Sequence, residues 1–280
     1  MKADPVANGI YMLHARGGNV GAVIGPDGIF LVDDQLAPLT GRIRGKLDEL
    51  PQGKGKPVRF VLNTHFHGDH TGGNENLGRQ GAVIVAHDNV RKRMTADEFR
   101  ENFLAEGGKD IGIALPVVTF NDRVTFHVNG HTLATRHYPH AHTDSDSVVW
   151  FREANAVHMG DIYFQRGYPF IDIDHGGSVD GVIAAVDAVL VEADGDTVVM
   201  PGHGKLSDAD ELREYRDMLV ALRDKVAAQI KAGKNRDAVN GMMLSQPYDE
   251  RWSWSFIDGR RFIDTLYRDL SRAAAEHRAH

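Results

Sequence analysis

The chain has 280 residues, 42% hydrophobic and 25% charged, with no cysteine and a formal net charge of -7. This composition excludes a disordered or fibrous chain, and the missing thiols exclude disulfides, thiolate nucleophiles and sulfur-ligated zinc. No basic stripe follows a phosphate backbone and no apolar run approaches the roughly twenty residues of a bilayer crossing, so neither nucleic acid nor membrane is expected as a partner.

In chain order, Met1 and Lys2 open a segment without the apolar core of a secretory signal, which fits a cytoplasmic chain or a trimmed leader. The lack of thiols suits an oxidising compartment, so a periplasmic location is expected over a cytoplasmic one. Residues 9–14, 20–24 and 29–32 are short β-rich runs punctuated by Gly or Pro, an antiparallel meander. Pro38 opens a helix over 38–50, and 57–63 reads as a buried strand through Val58, Phe60, Val61 and Leu62. A strand over 82–86 precedes a helix at 88–106, with Val90, Met94, Phe99, Phe103 and Leu104 at helical spacing.

Strands at 117–120 and 124–128, then an Asn129-Gly130 turn into 132–137, open what reads as a second half. Further strands fall at 147–151, 156–159 and 197–200, and helices at 184–191 and 209–230. An amphipathic helix from Gly259 through Phe262, Leu266 and Leu270 closes the chain. Without linker or repeat, residues 1–280 are assigned to one domain of two sheet-and-helix halves, with a C-terminal helical extension from about 209.

The chemistry concentrates directly after the strand at 57–63, in Thr64-His65-Phe66-His67-Gly68-Asp69-His70-Thr71-Gly72-Gly73-Asn74. Alternate residues of an extended segment point the same way, so His65 and His67 can grip one ion. Asp69 and His70, where the chain turns, can face a second. Gly68, Gly72 and Gly73 let the backbone approach a ligand and start the next helix without crowding.

His65-x-His67-x-Asp69-His70 at a strand end resembles the signature of the metallo-β-lactamase-fold hydrolases. That resemblance implies an α/β (α+β) fold, a four-layer αβ/βα sandwich, and three later ligands. His142, in Tyr138-Pro139-His140-Ala141-His142-Thr143-Asp144, is similar to the second motif. Asp161, in Val157-His158-Met159-Gly160-Asp161, is similar to the third, a carboxylate that bridges two ions in the glyoxalase II branch. His203, in Met200-Pro201-Gly202-His203-Gly204, is similar to the fourth. Carried over, His65, His67 and His142 hold one zinc and Asp69, His70 and His203 the other, two Zn(2+) per chain with Asp161 between them. Asp69 is then also the catalytic group that orients a zinc-activated water.

Other readings stand beside these. His140 is the alternative to His142; Asp161 alternatively orients an imidazole; Asp144 and Asp146 read as turn carboxylates. His14, His127, His131 and His277 read as structural surface histidines, while His87, His158 and His175 are candidates to line the pocket. The aromatics of 164–170 are core or substrate wall. Trp252, Trp254 and Phe256 are expected to pin the last helix, with a homodimer contact as the alternative.

The resemblance implies hydrolysis of an ester, thioester, lactone or amide-like bond in a small molecule. The absent cysteine and the bridging Asp161 set the chain apart from β-lactamase subclasses, leaving β-lactam turnover as a side activity. One alternative is a persulfide dioxygenase-like oxidoreductase with a single iron on His65, His142 and Asp161. The other is a non-catalytic binding protein that keeps metal for folding.

Overall fold

The computed structural model describes residues 1–276. His277, expected to be a structural surface histidine, lies outside the described residues. Two sheets form. The first contains seven strands in chain order, β1 (Lys2–Ala7), β2 (Ile10–His14), β3 (Val20–Gly25), β4 (Gly28–Val32), β5 (Val58–Asn63), β6 (Val83–His87) and β7 (Val118–Phe120). β2 to β4 are the expected antiparallel meander, β1 joins it antiparallel on β2, and β4 to β7 run parallel. The second contains β8 (Arg123–Val128), β9 (His131–His137), β10 (Ser147–Phe151), β11 (Ala156–His158), β12 (Val198–Met200) and β13 (Ser207–Asp208), neighbours in that order. Only its β11–β12 pair is parallel.

The connections carry helices α1 (Thr40–Glu49), α2 (Gly68–Thr71), α3 (Asn74–Gly78), α4 (Asp88–Met94), α5 (Asp97–Ala105), α6 (Ile111–Ala114) and α7 (Val179–Glu192). After β13 come α8 (Ala209–Lys231), α9 (Arg236–Asn240), α10 (Gln246–Trp252) and α11 (Gly259–Glu276). Ser178 caps α7 by accepting the Gly181 N–H, and Asp208 caps α8 by accepting that of Glu211, so both helices start where their orphan donors are satisfied.

Three apolar interfaces stack these parts into four layers. Ile43 and Leu47 of α1 and Leu77 of α3 pack on the outer face of the first sheet. Between the sheets, Met12, Phe30 and Leu62 meet Leu133, Val149, Phe151 and Met200. On the outer face of the second sheet, Trp150, Val157 and Val199 bury against Val182 and Val186 of α7, Leu219 and Leu222 of α8, and Phe262 and Leu266 of α11. The architecture is the expected αβ/βα sandwich, and among the described residues no helix is long and apolar enough to cross a membrane.

Three local expectations need correction. The strand expected to open the second half, β7, completes the first sheet by pairing parallel with β6; alternation marks a strand but not the sheet that receives it. β1 escaped detection because Asp4 and Pro5 break its pattern, and it survives as an edge strand whose register shifts between Pro5 and Ala7. The helix expected over 88–106 is two, α4 and α5, parted where Ala96 is extended (φ -66°, ψ 148°).

His87 also departs from expectation. It sits away from the site, its Nδ1 accepting the Asn89 N–H to start α4 and its ring stacked at 3.6 Å on His137. Burial lowers the His87 pKa, and burial together with the neighbouring His87 pushes His137 down to about 4. Both rings are therefore neutral when folded and take up protons near pH 6.5 when unfolded. Their contribution is present above that value and is lost as pH falls toward 4. Denaturation midpoints of the native chain should fall more steeply between pH 6.5 and 4 than those of His137→Gln; parallel pH profiles would contradict this.

Candidate metal centre

Functional side chains gather beyond the carboxyl ends of the strands. β5 leads into a bend at 64–66 that brings the His65 and His67 rings to centroids 4.8 Å apart, while Phe66 turns into a cluster with Val90 and Met94. The short helix α2 then supplies Asp69 and His70. The β9–β10 loop supplies His142, the turn after β11 supplies Asp161, and the loop after β12 supplies His203.

All seven expected residues come together, as two groups. His65, His67, His142 and Asp161 each offer an atom, all within 4.8 Å of one another, and so do Asp69, His70 and His203. In the first, His142 Nε2 lies 2.9 Å from His67 Nδ1, and Asp161 Oδ2 lies 3.7 Å from His142 Nε2 and 3.9 Å from His65 Nε2. In the second, Asp69 Oδ2 lies 3.4 Å from His203 Nε2 and 3.8 Å from His70 Nε2. Asp161 joins the groups, with Oδ1 at 3.0 Å from His70 Nε2 and Oδ2 at 3.3 Å from His203 Nε2.

The far nitrogens of four rings have protein partners. His65 Nδ1 meets Thr64 Oγ1 at 3.0 Å, His67 Nε2 meets Asp172 Oδ2 at 2.9 Å, His70 Nδ1 meets Asp33 Oδ2 at 2.7 Å, and His142 Nδ1 meets the Phe170 carbonyl at 2.6 Å. These contacts fix ring orientation and leave the other nitrogen facing inward. The inward atoms His65 Nε2, His70 Nε2 and Asp161 Oδ1 are buried and complete no hydrogen bond. Buried polar atoms left without partners are costly, and a donor set of imidazoles and carboxylates suits a cation such as zinc. The residues therefore fit a metal pair.

Electrostatics favour the same occupant. Burial pushes His65 well below its usual value and takes His142 down to about 3, so both rings are neutral and free to donate lone pairs. Burial opposes charge on Asp161, but the adjacent His203 and His70 outweigh it and hold its carboxyl well below the ordinary range. His70 and His203 are displaced upward, burial being overcome chiefly by Asp161. A metal ion would replace those protons.

Backbone sets the approach. A Cβ on Gly202 would stand 2.0 Å from Asp161 Oδ1, so only glycine lets the His203 loop lie against that carboxylate. Gly72 and Gly73 relieve crowding where the next helix starts, as expected: a Cβ there would strike Ala37 N and Asp34 O, so they seat the α2–α3 turn on the 34–37 loop.

His140 is exposed, with its Nδ1 on the Gly176 carbonyl, and is not part of either group. Asp144 pairs with Arg93, and Asp146 accepts from Thr143, both as turn carboxylates. His158 is buried with its Nδ1 on the Gly160 N–H, away from the pocket, whereas His175 bonds Asp172 at the pocket edge. Tyr168 is core, while Phe164 and Phe170 wall a cavity of about 410 Å³ above the cluster. Trp252 is buried as expected, but Trp254 and Phe256 leave the helices and complete that wall, with Trp254 Nε1 donating to the Tyr168 carbonyl.

Two site residues carried no signal in the sequence. Asp33 follows β4 in a left-handed conformation (φ 64°) and accepts from Thr64 N, Thr64 Oγ1 and His70 Nδ1. Asp172 links His67 to His175. A carboxylate after a strand is common, and only the fold brings these two beside the imidazoles.

Comparison with known proteins agrees with this geometry. The model of the Metallo-beta-lactamase superfamily matches residues 15–224, and the chain belongs to that superfamily. It is 29% identical over 151 residues to the hydroxyacylglutathione hydrolase of Polaromonas sp. (strain JS666 / ATCC BAA-500), a match covering 54% of this chain and 50% of that one. The chain spans about half the length of the curated relatives it matches. Among solved structures it is similar to the metallo-beta-lactamase from Pontibacter korlensis, with TM-score 0.62, 20% identity, and coverage of 78% of this chain and 98% of that one. It is also similar to the inverting sec-alkylsulfatase Pisa1 from Pseudomonas sp., with TM-score 0.72, 16% identity, and coverage of 95% and 49%.

Asp33→Ala would strand the Thr64 N–H and hydroxyl and release the His70 ring. The expected cost is about 2–3 kcal/mol in urea unfolding together with a roughly 10–100-fold loss of Zn(2+) affinity by chelator competition. Unchanged zinc affinity would show that His70 is held by something else.

Proposed function

We propose that this member of the Metallo-beta-lactamase superfamily is a metal-dependent hydrolase that holds two zinc ions and cleaves an ester, thioester or lactone of a small molecule. One observation carries the reading: seven nitrogen and oxygen donors from four stretches of chain converge in two connected groups, with His65 Nε2, His70 Nε2 and Asp161 Oδ1 buried and completing no hydrogen bond. Relatives named hydroxyacylglutathione hydrolase support hydrolysis of an acyl group. A periplasmic location is part of the proposal, supported by the absence of cysteine.

His65, His67 and His142 would hold one ion and Asp69, His70 and His203 the other, with Asp161 shared between them. When bound, such a pair supplies a water that ionises near neutral pH and a Lewis acid for the acyl oxygen. Asp69 is the less buried of the two cluster carboxylates and lines the cavity, so its free oxygen orients the attacking water by accepting a hydrogen bond. Phe164, Phe170, Trp254 and Phe256 shed solvent from the cavity, which strengthens each charge interaction inside it. Asp33, Thr64 and Asp172 keep the imidazoles from turning. Asp161 adds negative charge at the centre and moderates the pull on anionic substrates, so β-lactams should be poor substrates.

A single iron on His65, His142 and Asp161 is the rival occupancy, and the separate Asp69, His70 and His203 group favours two ions. Protein purified without chelator should contain close to two zincs per chain. It should hydrolyse members of a panel of aryl esters, thioesters and lactones, lose that activity on chelation, and drop at least about 100-fold in Asp161→Asn. One iron with oxygen uptake, or full metal loading with no turnover on any of these substrates, would overturn the reading.

A further inference from the structure

A second space adjoins the cavity above the cluster. His67 and Phe170 line both it and the cavity, and it is a groove of about 420 Å³ with residues of α5 along one side. Phe66 is buried in its floor, Phe99 and Phe103 come from α5, and Phe170 closes the side. Four phenyl rings thus surround a space that opens beside His67.

Charge at the groove is either paired or placed to repel anions. Arg93 is held by Asp144 at 2.6 Å, and Asp172 is shared between His67 at 2.9 Å and His175 at 2.8 Å. The remaining ionisable lining residues, Glu98 and Glu106, are exposed on α5 and present negative charge at the rim. A carboxylate-tipped arm would meet repulsion there and find Arg93 already paired with Asp144. The opposite mouth, past His203, opens instead on Gln165, Arg166 and Lys205, a route suited to a hydrophilic leaving group.

We infer that the α5 groove is the binding pocket for an uncharged, apolar acyl arm, so that the preferred substrates are medium-chain acyl esters, thioesters or lactones. The pocket follows from its lining, which includes the donor His67 and four phenyl rings; the word acyl rests on the hydrolytic reading above. α5 has no buried residue of its own, and its Phe99 and Phe103 are only partly buried against the Phe66 cluster. An occupant would complete that contact. Each methylene taken into the groove should tighten binding about three- to fourfold.

The test uses the full chain loaded with zinc. For p-nitrophenyl acetate, butyrate, hexanoate and octanoate, kcat/KM should rise about tenfold per added pair of methylenes that the groove takes in. In Ala96→Trp, which fills the groove from the start of α5, and in Phe99→Asp, which charges it, the octanoyl-to-acetyl ratio should fall toward one. Circular dichroism checks that both variants fold. Calorimetric titration with octanoate and acetate reads the pocket without turnover: octanoate should bind at least about tenfold tighter to the native chain, and the preference should vanish in both variants. Turnover that ignores chain length, with equal binding of the two acids, overturns the pocket and leaves hydrolysis standing. Selective octanoate binding without turnover of any ester overturns the hydrolytic reading and supports the pocket.

Discussion

A cluster of imidazoles and carboxylates this crowded is stable inside a protein only if something positive stands among its lone pairs. His65, His70, His142 and Asp161 are all buried, and the atoms they direct at one another do not saturate as hydrogen bonds. Protons on His70 and His203 offset the charge of Asp161 in part, which makes the cluster a balance between protons and cations. Burial alone would favour neutral groups; the outer contacts instead lock the rings in the orientation that a cation requires. The centre is thus built to be incomplete by itself.

That incompleteness is supported by the most rigid parts of the fold. β4, β5, β11 and β12 are packed on both faces, and each delivers its residue within three positions of its end. Asp33 ties two of these strand ends together, accepting from Thr64 after β5 while standing after β4. The backbone of Asn19 donates to the Gly202 carbonyl, and its side chain donates to the carbonyls of Pro201 and Gly204, joining the His203 loop to the first sheet. The two halves of the sandwich therefore meet at the site through hydrogen bonds as well as through the apolar layer beneath it.

The part of this that could be read from sequence is the part written in local spacing. His65 and His67 stand two positions apart just past a strand, and β5 is legible because Val61 and Leu62 are buried on both sides. His142, Asp161 and His203 are isolated letters, and only their order within a known signature singled them out. Asp33 and Asp172 had neither periodicity nor motif; their role arises from contacts made across 37 and 105 positions of chain. The same holds for Trp254 and Phe256, whose apolar character suggested helix packing although the loop between α10 and α11 carries them to the cavity rim. β7 shows the limit for strands: a three-residue run states its own conformation but not its partner.

Chemistry and selectivity consequently come from different stretches of chain. The donors sit on strand ends, where displacement would disturb two sheets and their shared core. The walls come from the 164–170 loop, from the loop between α10 and α11, and from α5, none of which supplies a donor. Trp254 is anchored to the 164–170 loop through the Tyr168 carbonyl, and Tyr168 is itself stacked on Phe262 of α11. The C-terminal helices thus set the position of the cavity wall through that stack and through hydrogen bonds of Tyr168 to the Trp252 carbonyl and the Asp249 carboxylate. A substitution in α11 that shifts Phe262 acts on the shape of the cavity before it acts on the metal centre, because the strand ends are held independently by Asp33 and the inter-sheet core.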